Sequence, residues 1–251
     1  MDFQLVQKEN QYAPAKLIEP SQSGYLHIAA EVQPSSVPFL PASAEKSKLL
    51  AKLKAWALQL EQLDQVEQAS VYDASAIPPF DKFPNIQERI HEIRIPRFDV
   101  AILVETKSPG DIQDVRNATI YLELMELLEK TAKQLHVIAA RNAKRVNDVN
   151  RSKEGTFLFN HFVAEDREVL MQLWDYLAGW YREEMKIDNS LLLVPVDGEA
   201  SDYLAVNHAR IKGNALGFVA KQMAKKSFKD YVQANLYANR VIAMPILYKL
   251  V

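Results

Sequence analysis

Residues 24–32 read Gly-Tyr-Leu-His-Ile-Ala-Ala-Glu-Val, and the fold of this chain can be worked out from this stretch. Every second residue from Leu26 to Val32 is apolar, which predicts a β-strand with one buried face. A loop with several prolines follows and ends at Ser43, a residue type that favours the N-cap of a helix. Apolar residues then recur at helical spacing as far as Leu63, so we expect a helix that packs one side on the sheet.

The same order of elements is predicted twice along the chain. Strand, helix, strand, strand, helix and strand occupy residues 24–142 and again residues 155–251. Residues 1–23 are expected to form an irregular lead-in, and the charged residues 143–154 to form a linker. The halves share little sequence identity, so the repeat is one of pattern, and each half is predicted to be a ferredoxin-like βαββαβ unit.

One such unit cannot bury both faces of its sheet. Its helices cover one face, and an apolar second face must pack against something else. A second sheet of the same kind is the obvious partner. We therefore predict an α+β fold in which two antiparallel sheets pack face to face, with a ligand pocket between them.

Short motifs in the second helix of each unit carry a resemblance to a known superfamily. Thr119-Ile120-Tyr121 and the stretch Ser227–Tyr231 each place a small hydroxyl residue shortly before a tyrosine. Together with the duplicated pattern, they resemble the dimeric α/β-barrel superfamily, in which two ferredoxin-like units close their sheets into a barrel. The resemblance implies such a barrel within one chain. The superfamily includes cofactor-free monooxygenases, haem enzymes such as chlorite dismutase, isomerases and stress-responsive proteins, so it leaves the function open.

Composition excludes several classes of function. The chain has 251 residues, 25% of them charged, and a net charge of −2, so no general attraction to nucleic acid or to a membrane is expected. The lysines from Lys221 to Lys229 are interpreted as a solvated helix face. The absence of cysteine excludes disulfides and thiolate sites. Met1–Gln4 lacks a signal-peptide pattern, so we expect a cytoplasmic protein.

The polar residues predicted to line the barrel depend on how the two halves are aligned. Aligning the first strands on Gly24 and Gly155 directs the less apolar set of each strand inward. The predicted lining is His27, Asp99, Asn160, Tyr203 and Asn207. His27 is the candidate general base, with Asp99 fixing its tautomer. Asn160, Tyr203 and Asn207 are candidates to orient a small ligand of apolar or mixed polarity, and Arg141 could meet an anionic group at a barrel mouth. The alternative is that the lining residues are buried polar groups satisfied by backbone or water, or that they lie at strand ends in solvent.

A shift of one residue would reverse every assignment and turn His161 and His208 inward. Two inward imidazoles could bind a metal, or one could ligate haem. No metal is favoured, because no Asp or Glu stands at ligand spacing, and the alternative is a pair of core histidines bonded to backbone.

Three functions remain after this reasoning. The first is a small-molecule enzyme or binder that uses the pocket between the sheets for oxidation, isomerisation or proton transfer without a cofactor. The second is a non-catalytic protein of stress-response type, in which the second unit serves structure and homo-oligomerisation. The third is a haem protein with a histidine ligand.

Overall fold

The computed structural model describes residues 2–6, 12–35 and 38–251. Residues 1 and 7–11 of the predicted lead-in lie outside this range. In the described residues the strands are β1 (Gly24–Glu31), β2 (Val66–Ala76), β3 (Val100–Thr106), β4 (Gln134–Arg145), β5 (Thr156–Val163), β6 (Leu191–Pro195), β7 (Ala205–Ile211) and β8 (Ile242–Leu250). The α-helices are α1 (Ala44–Leu60), α2 (Pro84–Gln87), α3 (Ile112–Asn117), α4 (Thr119–Thr131), α5 (Arg167–Met185), α6 (Ala215–Met223) and α7 (Ala234–Ala238). A π-helical segment, Phe228–Gln233, precedes α7.

The eight strands form one closed antiparallel barrel in the order β1-β3-β2-β8-β5-β7-β6-β4. Each half contributes four strands in the same arrangement, β4-β1-β3-β2 and β8-β5-β7-β6. The halves join edge to edge through the β2–β8 and β4–β6 ladders. Closure leaves no free sheet edge among these strands. The predicted fold class, two tandem ferredoxin-like units that form an intrachain barrel, is confirmed.

Successive side chains along each strand point alternately into and out of the barrel, so the apolar residues form one core inside the barrel and two cores outside it. Outside the barrel, α1, α3 and α4 pack on the first unit, and α5 with the segments after it packs on the second. Large aromatic side chains dominate the inside, and those that are fully buried are Tyr25, Tyr72, Phe80, Phe98, Phe157, Phe159, Tyr203 and Tyr248.

Two connecting segments close the ends of the barrel. Residues 77–98, here called the lid segment, bury Phe80 and Ile86 in the inner core at the end where β1 finishes. Residues 146–154 bring Val149 and Arg151 to the opposite end, where β1 begins. The predicted linker therefore differs from the structure, because its first three residues extend β4 and the rest seal a barrel end.

The alignment of the two first strands on their glycines is wrong by one residue. Gly24 pairs with Thr106, the last residue of β3, whereas it is Thr156 that pairs with Ile211, the last residue of β7. The two glycines have different structural roles. A Cβ on Gly24 would lie 2.5 Å from the Thr106 hydroxyl, so this glycine permits a close approach inside the ladder. Gly155 precedes β5 and adopts a positive φ of 155°.

Candidate active site

The candidate site lies inside the barrel beneath the lid segment, around His27 of β1. The imidazole is fully buried, and neither ring nitrogen has a hydrogen-bond partner in the described residues. Its ring centroid lies 5.0 Å from that of Phe159, 5.6 Å from that of His161 and 6.5 Å from that of His136. The predicted inward direction of His27 agrees with this structure.

His161 of β5 points into the same space, as the alternative alignment expects. Its ring lies 5.5 Å from Phe98 and 4.8 Å from Tyr203, measured between centroids. It faces the backbone of Met244, its cross-strand neighbour, without a well-aligned hydrogen bond. Two buried imidazoles with unsatisfied nitrogens therefore share an aromatic enclosure, and such groups are rare in stable interiors.

His136 is the third member of this cluster and is absent from the residues predicted to line the barrel. Its Nε2 lies 3.2 Å from the Ser201 hydroxyl, while its Nδ1 has no partner in the described residues. The signal that could have found it is alternation in β4, where His136 is in phase with the inward-facing Ile138 and Ala140.

Burial is the main cause that holds these three histidines in the neutral form. It lowers the pKa of His161 to about 3, with the neighbouring His136 adding to the effect. It lowers the pKa of His136 to about 4, with Arg94 as the next cause. The pKa of His27 falls well below its usual value, first through burial and then through the other histidines. At neutral pH each ring can accept a proton.

Tyr203 joins the histidine cluster to the lid segment. Its hydroxyl donates a hydrogen bond to the backbone oxygen of Arg94, 3.2 Å away, and its ring lies 4.8 Å from that of His136. Burial raises the pKa of this hydroxyl above its usual range. Tyr203, predicted to line the barrel, does so.

Asp99 does not meet His27, contrary to the predicted pairing. Its carboxylate accepts hydrogen bonds from the backbone N–H groups of Val32 and Gln33, at 2.6 and 3.0 Å. It also forms an ion pair of 2.8 Å with the buried ammonium of Lys46. Asp99 therefore fixes the chain where it leaves β1, and the tautomer of His27 is not set by it.

Asn160 and Asn207 do converge, but on the outer face of the barrel. They are direct partners in the β5–β7 ladder. Asn207 accepts hydrogen bonds from Trp174 of α5 at 3.0 Å and from the Ser190 hydroxyl at 2.7 Å, which places it under the helix. The one-residue misalignment explains both errors. Arg141 is exposed on β4, away from the interior.

His208 points inward and is bonded on both sides of its ring. Its Nδ1 lies 3.2 Å from the backbone oxygen of Leu158, and its Nε2 lies 3.5 Å from the Tyr72 hydroxyl. Phe159 stacks on its face at 4.2 Å. Burial lowers its pKa to about 3. His208 is therefore a core histidine bonded to backbone, which is the alternative to a metal or haem ligand.

These contacts bear on cofactors. His208 has no free ring nitrogen to ligate a haem iron, because both of its nitrogens have partners. Aromatic rings also pack around His161, so side chains of the interior would have to move before a haem could reach a histidine there. No three His, Cys, Asp or Glu side chains of the described residues are grouped to hold a metal ion.

Two cavities lie on the outer surface of the molecule. One of about 240 Å³ lies beside the ion pairs of Lys46 with Asp73 and Asp99. Another of about 380 Å³ is lined by residues that include Lys16 and Arg182. Neither is lined by a histidine of the barrel interior. Within residues 2–6, 12–35 and 38–251, no helix is long and apolar enough to cross a bilayer.

Solved structures share this architecture over nearly the whole chain. An anthrone oxidase-like protein aligns with a TM-score of 0.62 at 9% identity, covering 94% of each chain. A proposed monooxygenase from Fusobacterium nucleatum subsp. nucleatum aligns with a TM-score of 0.57 at 8% identity, covering 92% of this chain and 93% of that one. This chain has the dimeric α/β-barrel fold. No protein-family profile matches the sequence, and no curated protein matches it.

Proposed function

We propose that this dimeric α/β-barrel protein binds a small, planar, apolar molecule under its lid segment and transfers a proton with His27. One observation carries the proposal: His27 and His161 are fully buried and face each other without hydrogen-bond partners in the described residues. Unsatisfied buried polar groups cost stability, so their presence in a native interior calls for an explanation, and a catalytic role is one.

The proposed chemistry is removal of a proton from a CH₂ group that is conjugated with a carbonyl through an aromatic ring. Neutral His27 takes the proton onto a ring nitrogen, and the electron pair of the C–H bond moves through the ring to the carbonyl oxygen to form an aromatic enolate. Burial disfavours the imidazolium before a substrate is bound, but an enolate formed beside it provides the opposite charge that stabilises it. His161, 5.6 Å away between centroids, is placed to hydrogen-bond the same substrate.

The walls of the site suggest the substrate class. Phe98, Phe159 and Tyr203 surround the two histidines, and flat aromatic ligands pack well against such rings. An aromatic ketone with an acidic C–H bond suits both the aromatic side chains that surround the site and the proposed base, His27. The similarity of the fold to an anthrone oxidase-like protein agrees with this substrate class. The enolate would then reduce O₂, so that the CH₂ group becomes a second carbonyl and one O₂ yields one water.

Entry to the site requires the lid segment to move. Phe80 and Ile86 fill the barrel end above the histidines, and withdrawing them vacates volume and opens a path from solvent. The segment lies outside the barrel sheet, so it can move without breaking a strand ladder.

Anthrone is a suitable probe. We expect calorimetry to detect its binding, and we expect the protein to accelerate both oxygen uptake and, without oxygen, the exchange of anthrone CH₂ hydrogens for deuterium. His27→Leu should abolish the acceleration above the uncatalysed rate. Leu122→Ser, at an exposed position on α4, is the control that should leave it unchanged.

The non-catalytic alternative remains because aromatic side chains fill the interior. It predicts no binding of anthrone or of related planar ketones by the protein or by a variant with a loosened lid. Binding without exchange would mark a binding protein and would overturn the catalytic part of the proposal. Equal exchange by His27→Leu would overturn the role of this residue.

A further inference from the structure

Ser201 lies in the loop between β6 and β7 and contacts the histidine cluster of the barrel. Its hydroxyl oxygen is 3.2 Å from Nε2 of His136. The same oxygen is 2.8 Å from the backbone oxygen of Tyr203 and 3.0 Å from the backbone nitrogen of Tyr203. Three polar atoms therefore surround one hydroxyl group, and its single hydrogen atom can be donated to only one of them.

The two contacts with the Tyr203 backbone decide which way the third hydrogen bond runs. A carbonyl oxygen only accepts hydrogen bonds, so the Ser201 hydroxyl donates to it at 2.8 Å. The backbone N–H of Tyr203 donates to one lone pair of the hydroxyl oxygen, and the remaining lone pair is left for Nε2 of His136. Nε2 must then carry a hydrogen atom and donate it, and 3.2 Å is within the range of an N–H···O bond.

The His136 ring is neutral at pH 7, so a hydrogen atom on Nε2 leaves Nδ1 bare. Burial, and next Arg94, lower the pKa of His136 to about 4. A neutral imidazole carries one N–H group and one nitrogen that only accepts. Nδ1 is buried and has no hydrogen-bond partner in the described residues. The ring lies beside Phe98 and Tyr203, and its centroid is 6.5 Å from that of His27.

Hydrogen bonds on both sides of Ser201 hold its loop in place. Glu199 accepts hydrogen bonds from the guanidinium of Arg116 in α3 and, at 2.8 Å, from a backbone N–H group of β4. Asp202 accepts a hydrogen bond of 2.8 Å from Arg94 of the lid segment. Because these residues are close to Ser201 along the chain, their contacts fix its hydroxyl beside the strand that carries the histidine.

We propose that Ser201 is a positioning residue of this site, which holds His136 as the Nε2–H tautomer so that Nδ1 accepts a hydrogen bond from an O–H or N–H group of the ligand. The role towards a ligand rests on the function proposed above, whereas the tautomer does not. The ring nitrogens of His27 and His161 have no partner in the described residues, so no bond of this kind fixes a tautomer there. A ligand held at Nδ1 would be oriented relative to His27, the proposed base.

Nitrogen-15 NMR of labelled protein at pH 7 tests the tautomer, because protonated and bare ring nitrogens have distinct chemical shifts. His136→Gln identifies the signals of this ring by their loss. We expect Nε2 to be protonated and Nδ1 to be bare in the unchanged protein. Ser201→Ala should give a mixture of the two tautomers, and Ser201→Thr, which keeps a hydroxyl, should restore the Nε2–H form.

Ser190→Ala is the matched control for the spectra. The Ser190 hydroxyl is also buried, but it bonds Asn207 on the outer face of the barrel, so its loss should leave the tautomer of His136 unchanged. An Nδ1–H tautomer in the unchanged protein would overturn the proposal whether or not the variants fold. An unchanged tautomer in folded Ser201→Ala would show that Ser201 does not set it.

Indole and indene test whether Nδ1 meets a ligand, because indene has a CH₂ group in place of the N–H group of indole. We expect calorimetry to show that the unchanged protein binds indole about tenfold more tightly than indene. That ratio should fall in Ser201→Ala and return in Ser201→Thr. Equal affinities in the unchanged protein would overturn the role of Nδ1 alone. If neither probe bound, the function proposed above and the role of Nδ1 that rests on it would both be overturned, while the spectra would still decide the tautomer.

Discussion

The imidazole of His27 is a source of instability as well as a candidate base. Its two nitrogens are buried without partners in the described residues, and an unsatisfied buried polar group costs about 1–3 kcal/mol. We expect His27→Leu, which has a similar volume, to raise the free energy of unfolding by about 1–2 kcal/mol while it removes proton transfer. Urea denaturation at pH 7 measures this change.

His208→Leu is the matched comparison for that measurement. Both of its nitrogens have partners, so its replacement removes the contacts with the Tyr72 hydroxyl and with the Leu158 backbone oxygen and should lower the free energy of unfolding by about 1–3 kcal/mol. If His27→Leu destabilised the protein as much as His208→Leu, His27 would be a structural residue.

The sequence predicted correctly for some residues, and wrongly for others, whether the side chain points into the barrel. The inward direction of His27 followed from the apolar set on the other face of β1, which packs against helices. In β5 both faces are largely apolar, since Leu158 and Phe162 lie outside while Phe157 and Phe159 lie inside. Alternation alone therefore could not orient β5, and alignment on Gly155 directed Asn160 the wrong way.

At the level of elements, the lid segment depends on Arg94. Its guanidinium donates hydrogen bonds to Asp202 at 2.8 Å, to the backbone oxygen of Leu135 at 3.1 Å and to Gln134 at 3.3 Å. These bonds join the lid segment to β4 and to the loop before β7. The strands and most helices could be predicted from the periodicity of apolar residues. The bonds of Arg94 join residues that are far apart in the sequence and meet only in the folded chain, so the role of residues 77–98 could not be predicted in this way.

We expect Arg94→Met to increase hydrogen exchange of backbone amides in residues 80–96 by about 10- to 100-fold, because it removes charge-assisted bonds that hold the segment. Amides in the barrel strands should keep their rates. Arg97→Met is the control, since Arg97 is exposed and its only ion pair in the described residues is 3.5 Å long. Unchanged exchange in Arg94→Met would show that Arg94 does not hold the lid segment.

For the whole molecule, four buried histidines make stability depend on pH. His27, His136, His161 and His208 all have a pKa below the unfolded value of about 6.5, so the unfolded chain binds more protons as pH falls below that value. The stabilisation is complete above pH 6.5 and is lost as the pH falls, down to about pH 4 for His136 and about pH 3 for His161 and His208. Each histidine contributes about 1.4 kcal/mol per pH unit in this window.

Chemical denaturation between pH 7 and pH 5 measures this slope, at pH values where most carboxylates remain ionised. We expect the free energy of unfolding to fall steeply over that range, and we expect His161→Leu to reduce the slope by about one proton. A stability that is constant between pH 7 and pH 5 would show that the buried rings are protonated or hydrated in the folded state.

Equivalent positions in the two halves can be identified from their strand ladders. His27 in the first half is equivalent to Phe159 in the second, and Ala29 is equivalent to His161. The pseudo-two-fold axis of the barrel thus relates each histidine to an apolar side chain. A barrel assembled from two identical chains would repeat every such position and hold two equivalent centres. Because both halves belong to one polypeptide here, the interior is asymmetric, and the ligand proposed above would meet a single centre in one orientation.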